Sequence, residues 1–348
     1  MSLITPNSTL LAQANVNEEI TARLLSFIQD RDAFSPNTWR QLMSVMRLCF
    51  RWANDHQRGF FPLSAEDLRD YLQHLQQAGR ASSTIATHAA LIAMLHRNAG
   101  LVPPNLDPLV FRAMKKINRS AVVSGERSGQ ALPFRLEDLQ QIDACWQQSS
   151  RLIEQRNLAF LHVAYSTLLR VSEVARLRVR DISRAEDGRI ILDVGWTKTV
   201  VQTGGLVKAL SSLSSERLTD WLINSGLVHE PDAFLFCRVH RSNRVHLQFE
   251  KPLTLPALEA IFQNAWHSIA SSRNVKANKK RYLSWSGHSS RVGAAQDLAK
   301  QGYSVAQIMQ EGTWKKPETL MRYIRHVEAQ QGAMVDLMEK RVFRQPRD

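Results

Sequence analysis

The chain has 348 residues, and its 45 lysines and arginines exceed its 32 aspartates and glutamates by 13 positive charges. A composition that is 44% hydrophobic and 22% charged is typical of a globular protein and excludes a disordered or collagen-like chain. The three cysteines (Cys49, Cys145 and Cys237) predict neither a disulfide framework nor a zinc site. The positive charge favours a polyanionic partner, which leaves nucleic acid, an acidic membrane surface and an acidic protein open.

Membrane association finds little support in the sequence. The N-terminal residues show no basic start followed by an apolar run, so we expect no signal peptide. The most apolar stretch, Asn157 to Leu169, is too short to span a bilayer, and no basic amphipathic helix with aromatic anchors stands out. We therefore expect a cytoplasmic protein that shares its compartment with DNA and has no membrane partner.

Residues 1–120 predict an N-terminal bundle of helices joined by short loops. Apolar residues at helical spacing, serines at the predicted N-termini and glycines after the predicted C-termini mark its members. Small, polar and basic residues with two glycines then predict a linker over 121–131, followed by a second domain over 132–348. The five helices are expected over residues 17–30, Trp39 to Trp52, Ser64 to Ala78, Ser82 to Asn98 and Pro108 to Asn118.

The second domain is predicted to be mainly helical with a small antiparallel sheet. Two helices come first, from Arg135 to Trp146 and from Glu154 to Arg178. Asp187-Gly188 then predicts a turn, and the alternation over residues 190–194 predicts a strand, with a second strand over 199–203. The remaining segments predict helices over 209–224, 254–272, 288–301, 304–310, 317–330 and 332–342.

This order of elements excludes some functions. The α/β folds that bind nucleotides need repeated strand–helix units, which the pattern does not contain. The chain also lacks a Gly-x-x-x-x-Gly-Lys-[Ser/Thr] loop and a dinucleotide fingerprint. We therefore expect no cofactor and no ATP-driven mechanism.

Two segments place charged side chains where they could act chemically. Arg170 and Glu173, spaced i, i+3, can meet on one helical turn beside a buried stripe, although such a pair is more often solvated. Lys198 follows the predicted strand near a hairpin tip. A lysine there is usually a surface charge, but its flexible stem can also reach into a cleft and deliver a proton.

Two further segments lie at helix starts near the end of the chain. His288 and Arg291 project from the first turn of a predicted helix, where the helix dipole favours an anion, but a lone His-x-x-Arg is weak evidence. Trp314 precedes another helix, on which either Tyr323 or Ile324 lies on the apolar face. That pattern alone favours a core aromatic at 323.

Taken together, the order Arg-x-x-Glu, hairpin Lys, His-x-x-Arg, Trp and Tyr resembles the tyrosine recombinase (phage integrase) family. The likeness extends from about residue 20 to 340 and includes the residues around the catalytic positions, in runs such as Trp285 to Ser289 and Ile308 to Tyr323. It implies a helical recognition domain and a catalytic domain that form a C-shaped clamp on DNA. It also implies site-specific recombination at a pair of inverted-repeat sites, through a 3′-phosphotyrosine and a Holliday junction.

The resemblance assigns a role to each of the chemical residues. Tyr323 would attack the DNA phosphodiester and Lys198 would protonate the departing 5′ oxygen. Arg170 and Arg291 would bind the non-bridging oxygens, so that no metal is implied. The supporting roles fall to His288 (hydrogen bonding and proton transfer), Trp314 (an indole N–H donor to phosphate) and Glu173 (orientation of its cationic neighbours).

The resemblance also suggests how DNA is recognised. Two N-terminal helices would enter the major groove, where arginine can read guanine and glutamine can read adenine. Ser83 and Pro256 stand where a close member of the family has a lysine and a base-reading arginine, so we expect a different target site. The candidate groove residues are Arg40, Gln41, Ser83, Thr87 and His88, and the candidate phosphate contacts are Arg238, Arg241, Lys280 and Arg281.

We expect a monomer in free solution and a homotetramer on two DNA sites, because Met334, Leu337 and Met338 give the last predicted helix an apolar face that could dock into a neighbour. Two other classes of protein remain open at this point. A type IB topoisomerase would share the nucleophile and the cationic site, and a non-catalytic DNA-binding protein would share only the basic surface.

Overall fold

The computed structural model describes residues 18–126, 129–195, 205–269, 284–330 and 332–342. The chain divides between Ser128 and Gly129 into two compact units. Both are helical, and the described part of the second unit also contains small antiparallel sheets, which confirms the predicted fold class.

The first unit is a helical bundle in which two of the helices begin at serine caps. The Ser35 hydroxyl accepts a hydrogen bond from the Thr38 N–H, and the Ser64 hydroxyl accepts one from the Asp67 N–H. These contacts satisfy backbone donors that have no partner within the helix. Short 3-10 turns lie at Asp30–Ala33 and Pro104–Leu106. The helices are α1 (Glu18–Gln29), α2 (Pro36–Asp55), α3 (Ala65–Gln77), α4 (Ser82–Asn98) and α5 (Pro108–Val123).

Helix α5 is longer than predicted and runs through the first three residues of the predicted linker. It ends at Val123, and Gly125 follows with a φ of +73°, a left-handed conformation that suits glycine. The Glu126 carboxylate then accepts hydrogen bonds from the Ser82 N–H and hydroxyl, at 3.0 and 2.9 Å. These hydrogen bonds connect the end of α5 to the start of α4. Residues 121–126 of the predicted linker therefore have a defined structure.

The second unit has most of its helices packed around the helix Leu152–Thr167, and it also contains a three-stranded sheet. Strands β1 (Ile182–Arg184), β2 (Ile190–Val194) and β3 (Leu206–Ala209) pair antiparallel in that order. A two-residue pair, β4 (Arg238–Val239) and β5 (Val245–His246), was not predicted. The predicted strand over 199–203 lies outside the described residues. The helices are α6 (Leu136–Trp146), α7 (Leu152–Thr167), α8 (Val171–Val174), α9 (Ser212–Ser225), α10 (Leu255–Ile269), α11 (Ser289–Lys300), α12 (Val305–Gly312), α13 (Pro317–Gln330) and α14 (Ala333–Val342).

The prediction of one continuous helix from Glu154 to Arg178 was wrong. Leu168 has a φ of +53°, which ends α7, and the chain turns before the short helix α8 begins. The Leu168 side chain packs into the cluster that includes Ile308 and Leu320 from α12 and α13. No glycine or proline marks this break, because its cause is tertiary packing.

Helix α11 approaches its neighbour closely because Gly293 has no side chain. A Cβ at this position would lie 1.7 Å from the backbone oxygen of Phe134. The same close approach lets the Phe134 N–H donate to the Ser289 carbonyl at 2.9 Å. The first turn of α11 is therefore held rigidly against the start of the second unit. No helix in the described ranges is both long and apolar enough to span a membrane.

The first unit contains a buried histidine whose hydrogen bonds require the neutral ring. The ring of His96 is 1% exposed, and burial lowers its pKa below the ordinary value. Its Nε2 accepts the Leu63 N–H at 3.0 Å, while Nδ1–H donates to the Ile92 carbonyl at 2.8 Å. Protonation would remove the acceptor at Nε2, so the folded state requires the neutral ring.

We expect His96→Gln to flatten the dependence of stability on pH. Because the folded pKa lies below the unfolded value of about 6.5, the stabilisation is complete above that pH and is lost as the pH falls. One proton contributes at most about 1.4 kcal/mol per pH unit. Urea unfolding at pH 7.5, 6.5 and 5.5 would measure the slope. An equal slope in the parent and the variant would contradict this account.

Candidate active site

Arg170 and Glu173 form an ion pair at the start of α8. The Arg170 N–H donates to one carboxylate oxygen of Glu173 at 2.9 Å, and its guanidinium donates to the other at 3.0 Å. The Glu173 side chain is fully buried, whereas that of Arg170 is one-third exposed. The pair is therefore not a solvated surface pair, because a buried carboxylate holds a guanidinium whose other edge can reach solvent.

Arg291 lies on the first turn of α11 and is almost completely buried. Its guanidinium donates to the Leu168 carbonyl and, at 2.9 Å, to the Gly312 carbonyl. Burial, together with the positive charge of Arg170, lowers the pKa of Arg291 to about 10. The side chain still carries its charge at neutral pH, and the two carbonyls hold the guanidinium in one orientation.

The turn after α12 positions Trp314 against Arg291. The centre of the indole ring lies 4.6 Å from the guanidinium carbon, which is a cation–π contact. Thr313 has a φ of +53°, and the Trp314 N–H donates to the Met309 carbonyl at 2.9 Å, which folds the chain back over the helix end. Gly312 leaves room for the ring, since a Cβ there would lie 1.9 Å from it.

His288 and Tyr323 meet beside this cationic group. The His288 Nε2 lies 2.5 Å from the Tyr323 hydroxyl, and the Tyr323 ring centre is 5.9 Å from that of Trp314. On α13, Ile324 is fully buried and supplies the core residue, while Tyr323 is half-buried at the edge of that face. The ambiguity between the two positions is thus settled in favour of Ile324 as the core side chain.

Burial and charge set the protonation states at this pair. Burial raises the pKa of Tyr323, while Arg291, Arg322 and Arg170 act in the opposite direction. Burial, Arg291 and Arg170 all lower the pKa of His288. At neutral pH the imidazole is therefore uncharged and can accept the phenolic proton. The arrangement brings a hydroxyl, a neutral base and two guanidinium groups together, which suits attack on a phosphate.

Six of the candidate DNA-contacting residues are exposed. Arg40 and Gln41 on α2 are exposed, as are Ser83 and Thr87 on α4. Arg238 and Arg241 in the second unit are exposed as well.

The structure does not support a direct base contact for His88. Its ring is 7% exposed, and its Nδ1 is 2.8 Å from the Tyr71 hydroxyl. The same face of α4 is buried in the core through Ile85, Ala89 and Ile92. His88 is therefore a buried side chain that can only support its exposed neighbours.

Lys198, Lys280 and Arg281 lie outside the described residues, so their roles stay predictions. Among the residues that the structure does describe, no group of three or more His, Cys, Asp or Glu side chains could hold a metal ion.

Several groups in the site had no distinct signal in the sequence. The carbonyls of Leu168 and Gly312, which orient Arg291, belong to backbone that any residue would supply. Gln296 and Gln130 both donate to the Tyr323 carbonyl, and neither belongs to a recognisable motif. Only Gly312, two residues before Trp314, could have indicated a close contact.

Comparison with known proteins identifies the family of this chain. The phage integrase family matches residues 135–330, and the phage integrase N-terminal SAM-like domain matches residues 22–99. The chain is 42% identical over 323 residues to recombinase Cre of Escherichia phage P1, which covers 93% of this chain and 94% of Cre. The chain therefore belongs to the phage integrase family, and the predicted enzyme class, a tyrosine recombinase, is confirmed.

Solved structures agree in fold at low sequence identity. The integrase of transposon Tn1549 in complex with transposon right end DNA has a TM-score of 0.59 and 13% identity, over 90% of this chain and 99% of that chain. A lambda integrase dimer bound to a COC′ core site has a TM-score of 0.52 and 13% identity, over 90% of this chain and 83% of that chain.

The packing of Trp314 predicts the effect of Gly312→Ala. The added methyl would overlap the indole ring and force it away from the buried guanidinium. We expect a loss of about 1–3 kcal/mol in the free energy of unfolding, the usual cost of overpacking a filled site. Gly332→Ala is the control, because its methyl would come no closer than 3.4 Å to any neighbour. Equal urea midpoints for the two variants would be inconsistent with this packing.

Proposed function

We propose that this protein is a site-specific DNA recombinase that cuts and rejoins DNA at a pair of inverted-repeat sites. The observation that carries the proposal is the Tyr323 hydroxyl, hydrogen-bonded to His288 and within the field of Arg170 and Arg291. The reaction would pass through a 3′-phosphotyrosine and a Holliday junction. The identity to recombinase Cre favours recombination over simple relaxation of DNA.

In the first step the phenolic oxygen of Tyr323 attacks the phosphorus atom of the DNA backbone. The phenolic proton moves to the neutral His288, and the bond between phosphorus and the 5′ oxygen breaks. Lys198 gives a proton to that leaving oxygen, so a free 5′-hydroxyl results. Attack by a 5′-hydroxyl from another strand breaks the bond between phosphorus and Tyr323 and restores an intact backbone, because the phosphodiester to tyrosine conserves the energy of the bond that was broken.

The two arginines stabilise the negative charge that develops on the phosphate. Both would bind non-bridging oxygens, since a guanidinium is matched to phosphate in shape and charge. Glu173 orients Arg170, and the carbonyls of Leu168 and Gly312 orient Arg291. Trp314 holds the Arg291 guanidinium by stacking on it and, in the proposed complex, donates its indole N–H to the phosphate.

DNA recognition is assigned to exposed residues of both units. The exposed Arg40, Gln41, Ser83 and Thr87 suit contacts in the major groove, with His88 supporting α4 from within. Exposed arginines in the second unit suit phosphate contacts, which fix position rather than sequence. These phosphate contacts are Arg238 and Arg241, joined in the proposal by Lys280 and Arg281.

We further propose that the protein is a monomer in free solution and a homotetramer on two DNA sites, in the cytoplasm of a bacterial host. Helix α14 supports this assembly, because its side chains Met334, Val335, Leu337 and Met338 are all more than 40% exposed. An apolar helix face of this kind can be buried against a neighbouring protomer.

Tyr323→Phe tests the nucleophile. The change removes one oxygen and keeps the ring, so we expect the fold and the DNA affinity to persist while strand cleavage disappears. The measurement is covalent trapping on DNA that carries a nick next to the cleavage site. The parent should form an adduct at the 3′ end through Tyr323. An adduct formed by the variant, or one mapped to Tyr303 or Tyr282 in the parent, would overturn the assignment.

Lys198→Ala tests the general acid. Cleavage should slow by about 10²–10⁴-fold, the usual contribution of general acid catalysis. A substrate with sulfur in place of the 5′ leaving oxygen needs no such acid, so the variant and the parent should cleave it at about the same rate. The same deficit on both substrates would assign Lys198 another role.

A further inference from the structure

The backbone carbonyl of Tyr323, in helix α13, accepts hydrogen bonds from two side chains. Gln296, on α11, donates its amide N–H to this oxygen at 2.9 Å, and Gln130 donates at 3.3 Å. Helix carbonyls in the middle of a helix already accept a backbone hydrogen bond, so two further donors on one such oxygen are unusual. These bonds reach α13 at the residue that carries the reacting hydroxyl.

Arg135 determines which end of the Gln296 amide faces Tyr323. The Arg135 guanidinium lies 2.7 Å from the Gln296 amide oxygen. A guanidinium only donates hydrogen bonds, so the oxygen must face Arg135 and the NH2 group must face the tyrosine. Gln296 is 7% exposed, which keeps water from replacing either partner.

The group that orients the amide is itself fixed. Asp297 accepts the second branch of the Arg135 guanidinium at 3.0 Å and the Leu136 N–H at 2.8 Å. Its second oxygen also accepts the Tyr165 hydroxyl at 2.7 Å. The start of α6, the second half of α11 and the end of α7 therefore share one hydrogen-bonded network that ends at the Tyr323 carbonyl.

We infer that Gln296 is a positioning residue for the nucleophile, with Gln130 as a weaker second. By holding the Tyr323 carbonyl, Gln296 fixes the rotation of α13 about its axis. That rotation sets the distance between the phenolic oxygen and both His288 and the phosphate. Gln130 ties the first residues of the second unit to the same helix. The inference rests on the proposed function, because it assigns Gln296 a role only if Tyr323 is the nucleophile.

The size of the expected effect follows from the geometry of attack. Reacting atoms must approach to about 3–3.5 Å in line, and a displacement of about 1 Å can cost about 10²-fold in rate. A loosened α13 would leave the DNA contacts intact, since these come from other side chains. The rate of cleavage should fall while the affinity for DNA does not change.

Two substitutions at 296 test this. Gln296→Met removes the donor without adding charge. Gln296→Glu keeps the contact with Arg135 but presents an oxygen, rather than an N–H, to the Tyr323 carbonyl. For both we expect single-turnover cleavage to be roughly 10- to 100-fold slower, with unchanged DNA affinity and a cooperative unfolding transition. Gln301→Met, an exposed position just after the same helix, is the matched control and should cleave like the parent.

Three further results separate positioning from a structural role. Because Gln130 and Gln296 donate to one oxygen, Gln130→Ala should slow cleavage more in the Gln296→Met background than in the parent. The sulfur-substituted substrate should not rescue Gln296→Met, since its deficit concerns the nucleophile rather than the leaving group. Parent-like cleavage by Gln296→Met and Gln296→Glu would overturn the inference, as would a slower rate fully explained by lost folded protein.

The same assay distinguishes failure of this inference from failure of the proposed function. If Tyr323→Phe forms no adduct while both Gln296 variants cleave normally, only the positioning role is wrong. If Tyr323→Phe still forms an adduct, the nucleophile is misassigned and the proposed function fails with it.

Discussion

The site depends on keeping a guanidinium charge inside the protein. Arg291 is 1% exposed, and the structure neutralises little of its charge directly, since its hydrogen-bond acceptors are the neutral carbonyls of Leu168 and Gly312. Removing a charge from water is costly unless polar groups replace the solvent. The left-handed turn at Leu168 and the glycine at position 312 make this burial possible. The carbonyls of Leu168 and Gly312 accept hydrogen bonds from the Arg291 guanidinium. Gly312 also leaves space for Trp314 to cover the guanidinium.

Burial and the nearby charges together set the protonation states of His288 and Tyr323. Burial of the imidazole lowers the pKa of His288, and the guanidinium groups of Arg291 and Arg170 lower it further, so the ring stays neutral. Burial opposes ionisation of Tyr323, so the phenol keeps its proton until a base can take it. A neutral base in contact with a protonated nucleophile is the starting state that the proposed reaction needs.

Local patterns predicted most of the fold, and long-range contacts account for what they missed. Helices α2 and α3 were predictable because serine caps and apolar spacing act within a few residues. The break at Leu168 was not, because it results from packing against α12 and α13.

The same contrast between local patterns and long-range contacts applies to the candidate site. The roles proposed for Tyr323 and Arg291 were inferred from the family resemblance, whereas the groups that orient these two side chains were not predicted. The buried ring of His88 shows the limit of transferring a role by position, since the hydrogen bond to Tyr71 depends on how α3 and α4 pack here.

Long-range contacts also affect the stage of folding at which the site can form. Arg291 is bound by a carbonyl 123 residues earlier in the chain, and the Tyr323 carbonyl is bound by Gln130, 193 residues away. Contacts of such separation carry a larger loop-closure entropy than contacts within one helix, so they form more slowly. A partly folded second unit that lacks these contacts would carry Tyr323, the proposed nucleophile, without the groups that orient it. The proposed chemistry therefore requires the native fold, a useful property for an enzyme that cuts DNA.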